Sequence, residues 1–315
     1  FNVDVRTESE VTAVDTVGKT VTVRHGEETY KESYDRLVLS PGAAPIRPAI
    51  PGIEENKVFT LRNIPDTYRI YDHIKETAPR SCAVIGAGFI GLEMAENLAE
   101  QGIHVSVVEG ASHVMPPIDM DMAHQVHNYI RAQGIDLYLG QTCTAMDKDG
   151  VILKDGRKIP ADMVILSIGV RPDTGFLKDS GIELGARGEI LVNSYMETSV
   201  PDVYALGDAA SVRHIVSGKQ VLIPLASPAN KQGRIVGDNL CGRKTAYKGS
   251  QGTSIMKFFG LTVAVTGEKE ESLQAQGRAF CKVITTSASQ AGYYPGGEMM
   301  TVKTLFEPDT GRILG

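Results

Sequence analysis

The sequence predicts an α/β protein that contains a Rossmann-like domain. An apolar run at residues 81–85 has the length of a buried parallel strand, and the motif Gly-Ala-Gly-Phe-Ile-Gly follows it at 86–91. Apolar residues then recur at helical spacing over 92–101. A second apolar run, 103–108, ends in the acidic Glu109. A strand, a glycine-rich turn, a helix and a strand that ends in an acid are typical of the first half of a dinucleotide-binding fold.

The residues ahead of this motif alternate between apolar and polar side chains, which predicts strands separated by turns. A link rich in proline and glycine follows at 41–52, and a helix at 65–77 begins at a proline, which is tolerated in a first turn. The strands predicted in this segment are 3–5, 10–14, 20–23 and 34–39.

After Glu109 the pattern predicts a helix at 119–133, which Gly134 closes, and a strand at 163–168 that ends at Gly169. Hairpin-like strands lie between them, at 142–146, 151–153 and from 158 onward. The remaining predictions are strands at 189–192, 203–206, 254–258, 261–265, 280–285 and 301–306, and helices at 228–241 and 268–276.

The composition limits the classes of function. The 315 residues are 42% hydrophobic and 22% charged, as expected for two or three ordinary globular domains, and the formal net charge is −6. No cluster of Lys and Arg indicates a nucleic-acid partner, and no apolar stretch approaches the roughly 18 residues that a membrane helix needs. Four widely spaced cysteines without a Cys-x-x-Cys pair indicate free thiols and no metal site. We expect a cytoplasmic protein with neither a nucleic-acid nor a membrane partner.

Each glycine of the motif has a physical role in holding a dinucleotide. Gly86 permits the tight turn from strand to helix, Gly88 lets the backbone approach the pyrophosphate, and Gly91 lets the helix pack closely on the strand. The first helical residues, Phe89 and Ile90, present free N–H groups and a partial positive charge to the phosphates. The alternative is a glycine-rich turn that binds no ligand.

Glu109 predicts which dinucleotide binds. A carboxylate at the end of the second strand can accept hydrogen bonds from the ribose hydroxyls of the adenosine. A 2′-phosphate at that position would meet a like charge, so the sequence favours NADH over NADPH. The alternative is that Glu109 is an ordinary surface acid.

Four motifs resemble the flavoprotein pyridine nucleotide-disulfide oxidoreductase family. They agree with the family in order and in spacing, and together they span most of the chain. The four stretches are Tyr-Asp-Arg-Leu-Val-Leu-Ser-Pro-Gly at 34–42, the glycine motif with Leu-Glu at 86–93, Ile-Gly-Val-Arg-Pro at 168–172, and Thr-Ser-Val-Pro-Asp-Val-Tyr-Ala-Leu-Gly-Asp at 198–208.

The resemblance implies a fold with three parts. Residues 1–62 and 188–248 correspond to a partial FAD-binding domain, and a Rossmann-like NADH-binding domain at 63–187 is inserted into it. Residues 249–315 correspond to part of an α+β dimerisation domain, which implies a homodimer.

The resemblance also implies cofactor-binding residues. Asp208 is expected to hold a ribityl hydroxyl of FAD, and Glu93, one turn into the NADH helix, is expected near the nicotinamide and the flavin. Gly169 is expected to contact NADH. The helix after residue 227 is expected to direct its free N–H groups at the flavin. The residues assigned to FAD are Val11, Ser40, Pro41, Gly42, Gly207, Asp208, Pro224, Leu225 and Ala226.

Two stretches, 224–234 and 291–296, are similar to coenzyme A-disulfide reductases and NADH-dependent persulfide reductases. In that subgroup a tyrosine of the second stretch reaches the CoA thiol site across a dimer interface. We place this role on Tyr293 or Tyr294, with a preference for Tyr293. The alternative is that both tyrosines fill a domain core. The subgroup implies that electrons pass from NADH through FAD to a thiol or disulfide substrate, CoA disulfide or a persulfide, with CoA as a further ligand.

The sequence departs from the family in ways that leave alternatives open. The N-terminal βαβ unit that grips FAD and the redox-active cysteine after it have no counterpart here. Cys82 is expected inside the NADH-domain strand and is not that nucleophile. We therefore expect a chain truncated at both ends. The alternatives are an NADH oxidase or peroxidase of the same fold, and a non-catalytic NAD-binding fragment.

Overall fold

The computed structural model describes residues 3–54 and 57–315. Its contacts divide the chain into two compact units. The first comprises Phe1–Ala44 and Val170–Gly252, and the second comprises Pro45–Gly169 and Thr253–Gly315. The assignment of three domains to cofactors stays a prediction. Within the described residues, no helix is both long and apolar enough to cross a membrane.

The helices and strands are numbered in chain order. The helices are α1 (Ile64–Thr77), α2 (Phe89–Glu100), α3 (Met120–Ala132), α4 (Ala226–Leu240) and α5 (Glu270–Ala275). The strands are β1 (Ser9–Asp15), β2 (Thr20–His25), β3 (Glu28–Ser33), β4 (Leu37–Leu39), β5 (Ala43–Pro45), β6 (Val58–Thr60), β7 (Ser81–Ile85), β8 (His104–Glu109), β9 (Asp136–Leu139), β10 (Cys143–Asp147), β11 (Gly150–Leu153), β12 (Lys158–Pro160), β13 (Met163–Leu166), β14 (Val170–Pro172), β15 (Val203–Ala205), β16 (Val212–Arg213), β17 (Gln220–Val221), β18 (Ser254–Phe258), β19 (Leu261–Val265), β20 (Cys281–Ala288) and β21 (Met299–Phe306).

The second unit contains a parallel sheet with the strand order β6-β13-β7-β8-β9. Its central strands are mostly apolar because both faces are covered, as in other parallel sheets. Val84 on β7, Val107 on β8 and Ile165 on β13 are fully buried in one core cluster. The sheet order and the flanking helices confirm the predicted α/β fold with Rossmann-like character.

Helix α2 packs on this sheet through Leu92, Ala95 and Leu98, which lie on one helical face and are buried. The helix begins at Phe89, three residues before the apolar spacing becomes visible in the sequence. Phe89 itself packs against the same core cluster, about one turn ahead of Leu92.

The later strands of the second unit form antiparallel sheets. β10, β11 and β12 form a three-stranded sheet over a separate core cluster. β18 pairs with β19 and β20 pairs with β21 as two-stranded ladders. The bounds predicted for β18 and β19 are confirmed.

The first unit is built from small sheets around α4. β1, β2 and β3 form an antiparallel sheet, β4 pairs in parallel with β15, β5 pairs with β14, and β16 pairs with β17. The carboxyl ends of β4 and β15 therefore lie at one edge of a parallel pair, which is where ligands bind in open α/β sheets.

Several predicted elements are wrong. Residues 3–5 are not a strand, and 189–192 contribute only isolated bridges of Ile190. The strand β3 was not predicted because nearly all of its side chains are exposed and polar, so its sequence lacks an apolar period. It forms because it completes a hairpin with β2 over six residue pairs. The edge strand β9 was not predicted either, because its four residues are too few to show a period.

Candidate dinucleotide site

The turn between β7 and α2 needs glycine at two positions. Gly86 has φ +104°, and its N–H donates to Val108 O at 2.7 Å. A Cβ at Gly86 would overlap the carbonyl of Ser167, and a Cβ at Gly91 would overlap the carbonyl of Gly86. These backbones approach so closely that no side chain fits, as the roles assigned to the first and third glycines require.

Gly88 differs from its neighbours because its side-chain position is open. It is the N-cap of α2, and a Cβ built there would meet no heavy atom of the described residues within 4 Å, apart from adjacent chain atoms. The N–H groups of the first helical turn, from Phe89 onward, lack intrahelical partners and carry the positive end of the helix dipole. An open space beside a bare backbone at a helix N-terminus fits a pyrophosphate.

Glu109 is half-buried at the end of β8 and fastens the glycine loop. Its Oε2 accepts the N–H of Ala87 at 2.7 Å, and its Oε1 accepts the N–H of Ala111 at 2.8 Å. An ionised carboxylate offers about four lone-pair sites, so two remain for ribose hydroxyls. Its role in nucleotide choice stays a prediction, but Glu109 is more than an ordinary surface acid.

Two further residues shape the loop and carry no sequence signal. The Ser167 hydroxyl, at the end of β13, donates to Gly86 O at 2.9 Å and to Ile85 O at 3.0 Å. The N–H of Met115 donates to Ala87 O at 2.8 Å. Both contacts join segments that are distant in sequence, so no local motif could reveal them.

The other predicted residues of this unit, apart from Phe89, are exposed. Glu93 lies on α2, one turn after the loop, and Ile90 is partly exposed beside it, whereas Phe89 is half-buried. Gly169 has φ +105°, and its carbonyl accepts the N–H of Ile46 at 3.0 Å. Their roles toward a nicotinamide stay predictions.

Tyr293 and Tyr294 lie in the connection between β20 and β21. They are 83% and 58% exposed, and their ring centroids are 4.9 Å apart. The alternative that they fill a core of this chain is therefore wrong. Two neighbouring aromatic rings, tilted against each other, therefore face solvent here.

In the first unit, five of the predicted flavin residues lie at the carboxyl edge of β4 and β15. Ser40 to Gly42 follow β4, and Gly207 and Asp208 follow β15. A Cβ at Gly207 would lie 3.6 Å from Ser40 Oγ, so the two segments are close neighbours. The N–H of Gly207 donates to Gln232 Oε1 at 2.8 Å. Gln232, fully buried on α4, was not predicted as a site residue.

Asp208 supports a hydroxylated ligand at this edge. Its carboxyl group is half-buried, and burial raises its pKa above the usual range. None of the described residues donates a hydrogen bond to it. A carboxylate can accept several hydrogen bonds, so the site fits a ligand that brings a hydroxyl donor.

The remaining flavin candidates differ in position. Pro224 precedes α4, Leu225 is its N-cap and Ala226 is its first residue. No side chain of the described residues caps the helix, so N–H groups of its first turn remain available to a ligand. Val11 lies on β1 opposite Val23 and is partly exposed. Its assignment to FAD stays a prediction, like those of Pro41 and Gly42.

One acidic cluster has the composition of a metal site, but it contains a lysine. Asp119, Asp121 and Glu270 bring their carboxylates together. Lys303 Nζ lies among them, 2.9 Å from Asp119 Oδ2 and 2.8 Å from Asp121 Oδ1, and it also pairs with Glu270. The ammonium group takes the position that a cation would occupy.

A buried histidine behind the loop predicts a pH dependence of stability. His127 Nε2 accepts the N–H of Val114 at 3.2 Å, and burial, with smaller contributions from Arg131, His124 and His113, lowers the pKa of His127 to about 4. In the unfolded chain its pKa is about 6.5, so the unfolded state binds the proton more readily below that pH. We expect neutral His127 to make its full contribution to the free energy of unfolding above pH 6.5. This contribution should be lost as the pH falls toward 4.

Urea unfolding of the wild type and of His127→Gln between pH 7 and pH 4.5 measures this effect. The free energy of unfolding should fall more steeply with decreasing pH in the wild type, because the variant has no group to protonate at this position. Equal slopes would show that His127 does not titrate as described.

Curated relatives of known name cover nearly the whole chain. The chain is 32% identical over 317 residues to the "NAD(P)H sulfur oxidoreductase (CoA-dependent)" of Pyrococcus abyssi. The alignment covers 99% of this chain and 70% of that protein. It is 34% identical over 320 residues to the "NADH oxidase" of Methanocaldococcus jannaschii, with 100% and 71% covered. It is 33% identical over 315 residues to a "Coenzyme A disulfide reductase" of Staphylococcus aureus, with 99% and 71% covered.

Solved structures share the fold. The reduced CoADR-RHD of Bacillus anthracis superposes with a TM-score of 0.98 at 46% identity, over 100% of this chain and 57% of that one. The NAD-dependent persulfide reductase of A. fulgidus gives 0.96 at 34% identity, over 99% and 59%. An engineered water-forming NADPH oxidase bound to NADPH gives 0.92 at 32% identity, over 97% and 69%.

The family profile described as pyridine nucleotide-disulphide oxidoreductase matches residues 1–233. The chain spans less than two thirds of the first two solved structures, at 57% and 59% of their length. The resemblance that four short motifs indicated is thus confirmed. The chain belongs to the pyridine nucleotide-disulphide oxidoreductase family.

Proposed function

We propose that a protein containing this chain is an FAD-dependent oxidoreductase that uses NADH to reduce a CoA disulfide or a persulfide. The observation that carries the proposal is the open backbone at Gly88, between two glycine positions that admit no side chain. The relatives named for CoA disulfide and persulfide reduction, which align over nearly the whole chain, supply the substrate class.

The chain's own residues bind and orient the electron donor. The α2 N-terminus receives the pyrophosphate at Gly88, and the two free lone pairs of Glu109 receive the ribose hydroxyls. Ser167 and Met115 hold the loop in this shape before the ligand arrives. A site that is formed in advance loses less ordering entropy on binding.

The engineered NADPH oxidase supports NADH as the natural donor. Its named substitutions replace a glycine, an aspartate 18 positions later and a proline seven positions after that, and its parent from Lactobacillus brevis is bound to NADH. Gly91, Glu109 and Pro116 have the same spacing in this chain. In that enzyme the acid was removed and NADPH is bound, which agrees with a carboxylate that rejects the 2′-phosphate.

The first unit offers the groups that FAD needs. Asp208 supplies an acceptor for a ribityl hydroxyl, and Gln232 fixes the Gly207 backbone beside it. The α4 N-terminus beyond Leu225 favours negative charge on a bound group. When bound, FAD supplies the two-electron relay between NADH and the sulfur substrate. Visible flavin absorbance of the purified chain tests this part; a colourless protein that binds NADH would support the fragment alternative instead.

The β20–β21 hairpin supports a homodimer with a substrate role for the tyrosines. Apolar side chains, among them Val283, Ile284 and Met299, are exposed along the hairpin together with the two neighbouring tyrosines. Exposed apolar groups of this extent mark interaction surfaces. We assign a contact with the CoA thiol substrate in the partner subunit's site to Tyr293, in preference to Tyr294.

Replacing both tyrosines by Phe in the dimeric holoenzyme should lower kcat/KM for CoA disulfide about tenfold, because the tyrosine that contacts the substrate loses its hydroxyl, whichever of the two it is. The reduction of an artificial dye by NADH should not change, because it bypasses the sulfur substrate. Tyr68→Phe, at an exposed tyrosine of α1, is the control. Wild-type kinetics of the double variant would remove both tyrosines from the substrate site.

One relative is named NADH oxidase, so the alternative reaction is the oxidation of NADH by oxygen. The two functions separate when NADH consumption by the holoenzyme is followed without oxygen, with CoA disulfide or a CoA persulfide added, and then with oxygen alone. We expect rapid turnover in the first assay and slow turnover in the second. Full turnover with oxygen and none with the sulfur substrates would establish the oxidase instead.

A further inference from the structure

Two histidines converge on one buried backbone segment beside the glycine loop. Val114 is fully buried, and its N–H donates to His127 Nε2 at 3.2 Å. Its carbonyl accepts a hydrogen bond from His113 Nδ1 at 2.8 Å. Both polar groups of Val114 are therefore satisfied by side chains, whereas most buried backbone groups pair with other backbone groups.

The peptide group between Val114 and Met115 links these histidines to the dinucleotide site. The Val114 carbonyl and the Met115 N–H belong to one planar trans peptide, so they point in opposite directions and move together. His113 holds the carbonyl end, and the N–H end donates to Ala87 O at 2.8 Å. Fixing one end of this peptide fixes the direction of the other.

Ala87 lies between the two glycines that form the turn. Its carbonyl accepts from Met115, and its N–H donates to Glu109 at 2.7 Å. Met115 itself has φ +53°, a conformation that non-glycine residues adopt only when the surroundings hold them there. The backbone at 86–88 is thus held from both sides, and one side depends on the histidines.

We propose that His113 and His127 are positioning residues, which clamp the Val114–Met115 peptide and so hold residues 86–88 in the shape that the dinucleotide pyrophosphate requires. The inference rests on the proposed NADH site and names residues that act on it through the backbone. The two histidines have opposite tasks. His127 must be an acceptor at Nε2, so its proton is on Nδ1, and His113 must be a donor at Nδ1.

The test compares His127→Gln with His127→Asn in the otherwise unchanged chain. Both replacements are amides, but only the longer Gln places an oxygen near the position of Nε2. His104→Asn makes the same chemical change at an exposed histidine of the same unit. The measurements are the Kd for NADH and the amide exchange rates of peptides covering 86–91 and 111–116 without ligand.

We expect Gln to retain wild-type affinity and slow exchange. Asn should raise the Kd for NADH about tenfold and speed exchange in both peptides, because the Val114 N–H loses its partner and the loop samples non-binding shapes. His104→Asn should match the wild type. Wild-type exchange in His127→Asn, or equal impairment of Gln and Asn, would overturn the clamp.

Two further outcomes are also decisive. If the wild type does not bind NADH, the proposed function fails, while the ligand-free exchange rates still decide the clamp. If His127→Asn does not fold, His113→Asn and His113→Asp give the same comparison from the donor side, since the two side chains have similar size and only Asn donates. Slow exchange in both His113 variants would then overturn the proposal.

Discussion

Gly88→Ala is expected to leave the chain folded and to weaken NADH binding about a hundredfold, since the new methyl group would stand between backbone and pyrophosphate. The space beside Gly88 is open in the ligand-free protein, and its φ of −79° suits any residue. Alanine is a poorer N-cap than glycine by less than about 1 kcal/mol. The free energy of unfolding and the Kd should therefore respond very differently.

Two other glycines are controls for this result. Gly86→Ala should lower the free energy of unfolding by about 2–4 kcal/mol, because it combines a positive φ with overlap of the Ser167 carbonyl. Gly102→Ala has a positive φ but open space, so it should cost only about 1 kcal/mol and leave NADH binding intact. Wild-type affinity in Gly88→Ala would show that the ligand does not approach this backbone.

Glu109→Arg is expected to reverse the choice of dinucleotide and to change the NADH-to-NADPH affinity ratio about a hundredfold or more. The change removes the acceptor of the ribose hydroxyls and brings a guanidinium that pairs with a 2′-phosphate. It also leaves the N–H groups of Ala87 and Ala111 without their carboxylate. We therefore expect the free energy of unfolding to fall by about 2 kcal/mol.

Two variants separate these effects. Glu109→Gln keeps an oxygen that can accept one backbone N–H but loses the charge, so it should weaken NADH without creating strong NADPH binding. Glu100→Arg makes the same charge change at an exposed position at the end of α2. An unchanged affinity ratio in Glu109→Arg would remove Glu109 from the ribose site.

The sequence predicts those parts of the fold that local pattern controls. Strand β7 is predicted with its bounds correct because a strand buried on both faces is apolar throughout. The glycine motif is predicted because backbone contact requires glycine wherever it occurs. Strand β3 has no such signature, since its exposed polar residues are ordered by pairing with β2 alone.

The site divides in the same way. The glycines and Glu109 follow from spacing, but the contacts that hold them do not. Ser167 lies about 80 residues from the loop that it braces, and Gln232 supports Gly207 from another element. His113 and His127 act on the loop through the backbone of Val114 and Met115. Such contacts depend on tertiary structure, so one sequence cannot reveal them.

A crystal structure of the chain with NADH tests the central claim most directly. We expect pyrophosphate oxygens about 3 Å from the first N–H groups of α2, above Gly88, with the adenosine ribose hydroxyls at the Glu109 carboxylate. Dinucleotide density elsewhere on the chain, with the space beside Gly88 empty at saturating NADH, would contradict it.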